Sequence, residues 1–414
     1  MQFKLSGAQS GLLVSPLPFS LNFTVSARLR GQIKYEELQN ALERLSHRHP
    51  LLAVRIAASE NGEFACFTTE GVPPIPLRVI ERVSDHDWVR EVEQEISRPS
   101  DYLTGPLFRC VWLRGVEVSE LLLVCDHITA DGFAGIYALR DLLRLLTEPD
   151  LTLAPCPPPR LADLIPPAMQ ARIKEIISTS SGGEPGPSQG LPETTVMEPL
   201  RVIPFELDET ETSALVARCR QEGVTVQAAL CAAFALPFAE RQPDMPVRWI
   251  ESPANLRDRL LRPVEEVYGN YISLIYSNVE CAPGRAVWDI ARQAGQSLSA
   301  VTDEQLFTIP IVMMAVADRP LSIPVVGFNY DISISNLGRI NIPAQYGQLH
   351  LESIYGPTMN VYMPAHRILG VNTFDGRMRC TFTSRDPQAP QLVRRAREIL
   401  AAMIDHPMKG QTLE

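Results

Sequence analysis

His127, Asp131 and Gly132 form the one compact arrangement in this 414-residue sequence whose residue types and spacing suit chemistry. They sit in Leu121-Leu-Leu-Val-Cys125-Asp126-His127-Ile-Thr-Ala-Asp131-Gly132-Phe-Ala-Gly, where an apolar run ends and a helical pattern begins. Imidazole titrates nearer neutrality than other side chains, so a histidine held on such an exit loop suits general-base work. Asp131 suits a helix N-terminus, where its oxygen takes free N–H groups and its charge meets the positive end of the dipole. Gly132 lets backbones approach closely. A plain helix cap beside a loop histidine fits the same residues. The spacing arises by chance in roughly 2% of chains of this composition, so the motif alone leaves both readings open.

No competing motif is present. The sequence holds no Gly-x-Gly-x-x-Gly, no phosphate-loop Gly-Lys-Ser/Thr, no His-Glu-x-x-His and no Gly-x-Ser-x-Gly, so dinucleotide, ATP, zinc and nucleophile-elbow chemistry lack support. The eight cysteines never come within ten residues of one another, which excludes a Cys-x-x-Cys site, and no metal ligand set is predicted. With 38 Lys+Arg against 48 Asp+Glu the net charge is −10, which argues against nucleic acid as a partner. Apolar runs such as 311–317 fall short of the ~18–20 residues of a membrane span. The N-terminus shows no secretory pattern, and a cytoplasmic location is expected.

The elements that must position the histidine read as follows. Phe19–Arg30 alternates apolar and polar residues and predicts a half-buried strand. Tyr35–His47 shifts to helical spacing, with Leu38, Ala41, Leu42 and Leu45 on one stripe. Short strands are predicted at Leu51–Ala57 and Glu63–Thr69 around Asn61-Gly62, and a helix at Ser84–Ile96. Strands at Leu107–Leu113 and Glu120–Cys125 then lead into the histidine loop and a helix over Phe133–Leu146. Residues 148–200 carry 11 of the 35 prolines and a Ser/Gly tract at 178–183, which predicts a partly disordered crossover with one short helix near Met169–Ile177. The second half repeats the αβ texture, with strands at Val202–Leu207, Val247–Glu251, Tyr271–Val279 and Phe328–Ile334. Helices are predicted at Glu209–Gln221, Val224–Arg241 and from Pro390 to Ile404, and a hairpin turns at Asp375-Gly376. The expected division is 1–147, a linker over 148–200, and 201–414.

His127-x-x-x-Asp131-Gly132 between strand and helix resembles the signature of the chloramphenicol-acetyltransferase-like, CoA-dependent acyltransferase superfamily. That superfamily includes peptide-synthetase condensation domains, wax-ester synthases and polyketide-associated acyltransferases. Further segments carry the likeness in the family's order: Leu45-Ser-His-Arg-His-Pro-Leu-Leu-Ala53, Pro253-Ala-Asn255-Leu-Arg257, Gly269-Asn270-Tyr271, Ser335-Asn336-Leu-Gly338, and the late hairpin. The resemblance implies an α/β (α+β) fold of two chloramphenicol-acetyltransferase-like lobes in a V, with a central tunnel and the histidine midway. It implies transfer of an acyl group from acyl-CoA or a pantetheinyl carrier protein to a hydroxyl or amine, with no permanently bound cofactor, by a monomer. His127 would be the base, and Asp131 would pair with Arg257 to hold the loop, with Gly132 in support. Ser335 or Asn336 would help bind an oxyanion, although a turn contact accounts for Asn336 equally well. Tyr330 is read as channel wall, and the other histidines as structural. Many relatives carry two adjacent histidines where this chain has Asp126-His127; an acidic residue there either faces inward beside the ring or sits in solvent. Ester formation is the leading expectation. Amide formation, or a catalytically silent binding or adaptor role, are the alternatives.

Overall fold

The computed structural model describes residues 2–4, 20–58, 65–180, 198–317, 330–361 and 366–405. The chain builds two six-stranded mixed sheets and one small sheet, all crossed by helices. In the first half, β1 (Gln2–Lys4), β3 (Arg55–Ala58) and β4 (Ala65–Thr68) form the small sheet. β2 (Asn22–Arg30), β5 (Leu77–Glu81), β6 (Phe108–Arg114) and β7 (Val118–Asp126) belong to the first large sheet. β2 pairs with β7 over its whole length, Asn22 opposite Asp126 and Arg30 opposite Val118.

Periodicity explains how the sheet is covered. On α1 (Tyr35–Arg48) the buried residues are Leu38, Ala41, Leu42 and Leu45, the stripe expected of an amphipathic helix. α1 and α3 (Gly132–Thr147) cover one face, against Phe23, Val25, Leu121, Leu123 and Cys125. α2 (Asp87–Ser97) covers the other through Trp88, Val92 and Ile96 against Val111, Leu113 and Leu122. β7 is therefore buried on both faces and reads as a continuous apolar run, each leucine contributing about 1.5–3 kcal/mol by burial. That burial makes β7 a rigid base for the loop that follows it.

The proline-rich crossover departs from expectation over its first part. Residues 148–160 are held by arginines of α1: Arg44 donates to the carbonyls of Leu145 and Leu151, and Arg48 donates to that of Ala154 at 2.5 Å. Proline offers no N–H for a sheet, so its neighbours' carbonyls are left for cationic donors. α4 (Leu161–Leu164) and α5 (Pro167–Ser180) follow, and Leu161, Leu164 and Ile165 pack with Leu256, Leu260 and Phe307 of the second half. Residues 181–197 lie outside the described residues, as do Asn61-Gly62 and Phe328.

The second large sheet runs β10 (Ile272–Glu280), β9 (Val247–Asn255), β11 (Ile332–Arg339), β14 (Arg367–Phe374), β15 (Arg377–Ser384) and β8 (Arg201–Leu207). α6 (Glu209–Gln221), α7 (Val226–Arg241), α8 (Val287–Ser299) and α10 (Ala389–Asp405) pack on one face, and α9 (Asp303–Ala317) lies beside α5. α6 opens with a capping box between Asp208 and Glu211. The predicted hairpin is present, with Asp375 and Gly376 both at positive φ (49° and 74°), as a type I′ turn requires.

The sheets do not follow a division at residue 201. β12 (Gln345–Tyr346) and β13 (Leu349–Met359), both from the second half, join the first large sheet beside β2. The expected 201–414 lobe therefore gives its 345–359 segment to the other sheet. Leu349, Leu351 and Ile354 bury themselves in the first core, which is why the segment leaves its own half. β13 also touches the second sheet: a side chain on Gly370 would start 1.9 Å from the Pro357 carbonyl oxygen. Asn372 donates to the carbonyls of Ile354 and Gly356 at 3.1 and 2.9 Å.

Candidate active site

β7 ends at Asp126, and residues 127–131 carry the chain into α3. The Asp126 carbonyl accepts from Thr129 N (3.0 Å), Ala130 N (3.2 Å) and the Thr129 hydroxyl (3.0 Å), so the loop is tied to the strand end. The Asp126 carboxylate accepts from Ile128 N at 3.0 Å and is fully buried. Burial pushes its carboxyl up, opposed by hydrogen bonds from Ser100, Ile128 N–H and Tyr102. The acidic residue before the histidine thus faces inward and braces the loop; it does not sit in solvent.

His127 is half-buried. Its N–H donates to the Leu21 carbonyl at 3.1 Å, and its ring meets Phe23 at a centroid distance of 5.4 Å and an interplanar angle of 60°. From the second half, the Asn270 side-chain amide donates to the His127 carbonyl at 2.8 Å, and the same nitrogen lies 3.3 Å from ring Nδ1. Among the described residues Nε2 makes no hydrogen bond.

Asp131 is the N-cap of α3, and both its oxygens are engaged. Oδ1 accepts from Ala134 N at 2.9 Å, while Oδ2 accepts from Arg257 Nη1 at 2.6 Å and Tyr271 N at 2.9 Å. Asp131 and Arg257 are buried, with side chains 0% and 2% exposed. The second guanidinium nitrogen of Arg257 donates to the carbonyls of Val267 and Gly269, both at 3.3 Å. The rings of Phe133, Tyr137 and Tyr271 surround the cation at 6.0, 5.9 and 5.1 Å. Gly269, Asn270 and Tyr271 in turn each bond the histidine loop, since the Asp131 N–H donates to the Gly269 carbonyl at 3.2 Å. This three-residue clamp fixes the loop from the opposite half of the chain.

Gly132 is required by space. A Cβ there would sit 2.9 Å from Leu337 and 3.2 Å from Pro357, where β11 and β13 close on the start of α3. Ser335 is buried on β11 opposite Gly370, two residues from that contact. The Asn336 side-chain oxygen accepts from Gly338 N at 2.8 Å, with Gly338 at φ 66°, which is a turn contact. Among the described residues neither Ser335 nor Asn336 bonds His127. Tyr330 stacks on His366 at 4.5 Å, with its hydroxyl 3.4 Å from His366 Nδ1.

Another histidine has a specific partner. His49 is fully buried, and its Nε2 lies 3.0 Å from Asp141 Oδ2. Burial drives the His49 pKa down against the hydrogen bond to Asp141. Burial raises the Asp141 carboxyl, but hydrogen bonds from His49 and Arg140 outweigh it and hold the carboxyl low. Arg140 also binds Glu266, so this network too links the two halves. Its sequence signal is His49 before Pro50, a fully buried imidazole disguised as a turn residue. A cavity of about 450 Å³, bounded by Arg28, Trp88, Glu120, Glu206, Tyr355 and Arg379, lies elsewhere. Glu120 is six residues up β7 from Asp126, roughly 20 Å at strand rise. Among the described residues no three His, Cys, Asp or Glu side chains converge to hold a metal. No single described helix is long and apolar enough to cross a membrane; α6 and α7 pass together only as a pair bent by 100°.

Two large mixed sheets, with a histidine loop from one clamped by the other's half, define a chain of the chloramphenicol-acetyltransferase-like, condensation-domain acyltransferase superfamily, and to that superfamily it belongs. Residues 198–382 match the family described as phthiocerol/phthiodiolone dimycocerosyl transferase C-terminus. The fold is similar to polyketide synthase associated protein 5 from Mycobacterium tuberculosis, at 17% identity and a TM-score of 0.65, covering 97% of this chain and 98% of that one. It is similar also to the trichothecene 15-O-acetyltransferase of Fusarium sporotrichioides, at 14% identity and a TM-score of 0.72, covering 97% and 95%. A stretch of 149 residues, 34% of this chain, is 27% identical to a linear gramicidin synthase of Brevibacillus parabrevis and spans 3% of that protein's length.

Proposed function

We propose that the protein moves an acyl group from a thioester, acyl-CoA or an acyl-carrier protein, to a hydroxyl acceptor, with His127 as the general base. The supporting observation is the treatment of His127: its loop is braced by Asp126, Asp131 and Asn270 while, among the described residues, Nε2 is left without a hydrogen bond. In this reading His127 takes the hydroxyl proton as the oxygen attacks the thioester carbon. The tetrahedral intermediate then expels thiolate, which receives that proton from the imidazolium. Such a base contributes about 10²–10⁴-fold. Asp131 and Arg257 serve as scaffold, since the carboxylate oxygens of one and both terminal nitrogens of the other are bonded within the protein.

Purified protein mixed with acyl-CoA or acyl-carrier protein and a panel of alcohols should form ester, with loss of about 10²-fold or more in His127→Ala. Wild-type rates in a folded His127→Ala protein would overturn the assignment. Amines belong in the same panel because of the similarity to a gramicidin synthase, and amide product alone would transfer the proposal to peptide-type condensation.

A further inference from the structure

Among the described residues, Asn270 is the one side chain that bonds both to the backbone of His127 and to its ring. The carbonyl oxygen of His127 can only accept, so the atom 2.8 Å from it is the amide nitrogen of Asn270. That orientation also presents a donor to Nδ1, at 3.3 Å. An NH₂ group has two hydrogens, one for the carbonyl and one for Nδ1, and the second bond exists only if Nδ1 carries no proton. A proton on Nδ1 would instead face the hydrogens of the amide.

We infer that Asn270 is a positioning residue that fixes the tautomer of His127, holding the neutral ring with its proton on Nε2. The inference rests on the acyl-transfer reading only for its kinetic consequence. In the free protein Nε2 then presents a donor to the site. Accepting a proton there requires the ring's own proton to leave Nε2 and one to arrive at Nδ1, and Asn270 must give up its bond to Nδ1. The basicity of Nε2 is thus conditional on a small movement of one amide, while the bond to the His127 carbonyl keeps the loop in place. Asp at position 270 reverses the logic: a carboxylate repels the carbonyl and accepts from a protonated Nδ1.

The test is nitrogen NMR of protein labelled with ¹⁵N-histidine, the His127 signals being those lost in His127→Gln. Wild type should show an unprotonated Nδ1 and a protonated Nε2. Asn270→Ser should shift toward a mixture, and Asn270→Asp should place the proton on Nδ1 and move the acid limb of activity to higher pH. A wild-type ring protonated on Nδ1, or an identical tautomer in Asn270→Ser, overturns the inference; the wild-type measurement needs no variant to fold. If no thioester and acceptor pair yields product yet the tautomer follows residue 270, the acyl-transfer reading falls and this one stands.

Discussion

Replacing Arg257 by Met removes the cation while filling most of its volume. Asp131 would keep its bonds from Ala134 N and Tyr271 N, but its charge, fully buried, would lose the guanidinium 2.6 Å away. Stripping one partner from a buried pair costs about 3–5 kcal/mol, because the remaining ion has no water to return to. At the lower sensitivity typical of larger chains, about 2 °C per kcal/mol, the melting temperature should fall by about 6–10 °C. Asp131→Asn should cost less, since a neutral amide oxygen still caps α3 and still accepts from Arg257. The double variant Arg257→Met/Asp131→Leu should be more stable than the sum of the single losses, by about 1 kcal/mol or more. The assay is a thermal scan of the four proteins beside their transfer rates. Arg257→Met melting with the wild type while activity is lost would refute the scaffold role and place the guanidinium in the chemistry.

Two further outcomes are expected. His366, 9% exposed, is pushed down to about 4 by burial and by the charge of Arg367. Its folded pKa lies below the unfolded value near 6.5, so the unfolded chain binds the proton more tightly and stability falls as pH drops from about 6.5 to 4, by about 3 kcal/mol in all. His366→Phe keeps a ring against Tyr330 and should flatten the pH dependence of urea midpoints in that window; an unchanged slope would refute it. Gly370→Ala sets a methyl against the Pro357 carbonyl and should destabilise by about 1–3 kcal/mol or more, read as a lowered melting temperature. Wild-type stability there would mean that β13 and β14 separate at little cost.

Local periodicity made most elements legible. The β2 alternation, the α1 stripe and the Asp375-Gly376 turn are decided by neighbours within a few residues, and all are found where expected. β2 begins at Asn22, three residues later than its alternating pattern. Elements settled by distant partners were missed. β13 has no turn signal to send it to the first sheet; its place is decided by Leu349, Leu351 and Ile354 finding that core. α8 and α9 went unread although Trp288, Ile290, Ala291 and Ala294 are buried on α8. At the site, His127, Asp131 and Arg257 stood out by motif, and the structure brings the latter two into contact. Asn270 stood in the sequence only as a landmark beside Tyr271. Nothing local says that an asparagine 143 residues away bonds a histidine; only the crossing of the two halves does.

That crossing makes the two halves inseparable parts. A piece ending near residue 200 would leave β2 as a bare sheet edge, offering to any passing chain the N–H and C=O groups that β13 now occupies. The complementary piece would carry β13 with its apolar side chains and no sheet to receive them. Exchanging the histidine-bearing half with that of a relative would therefore mean moving two pieces of chain, the stretch through α3 together with 345–359. Inheritance of the site is likewise joint: neither half can drift in sequence along β13 without the other's β2 following it.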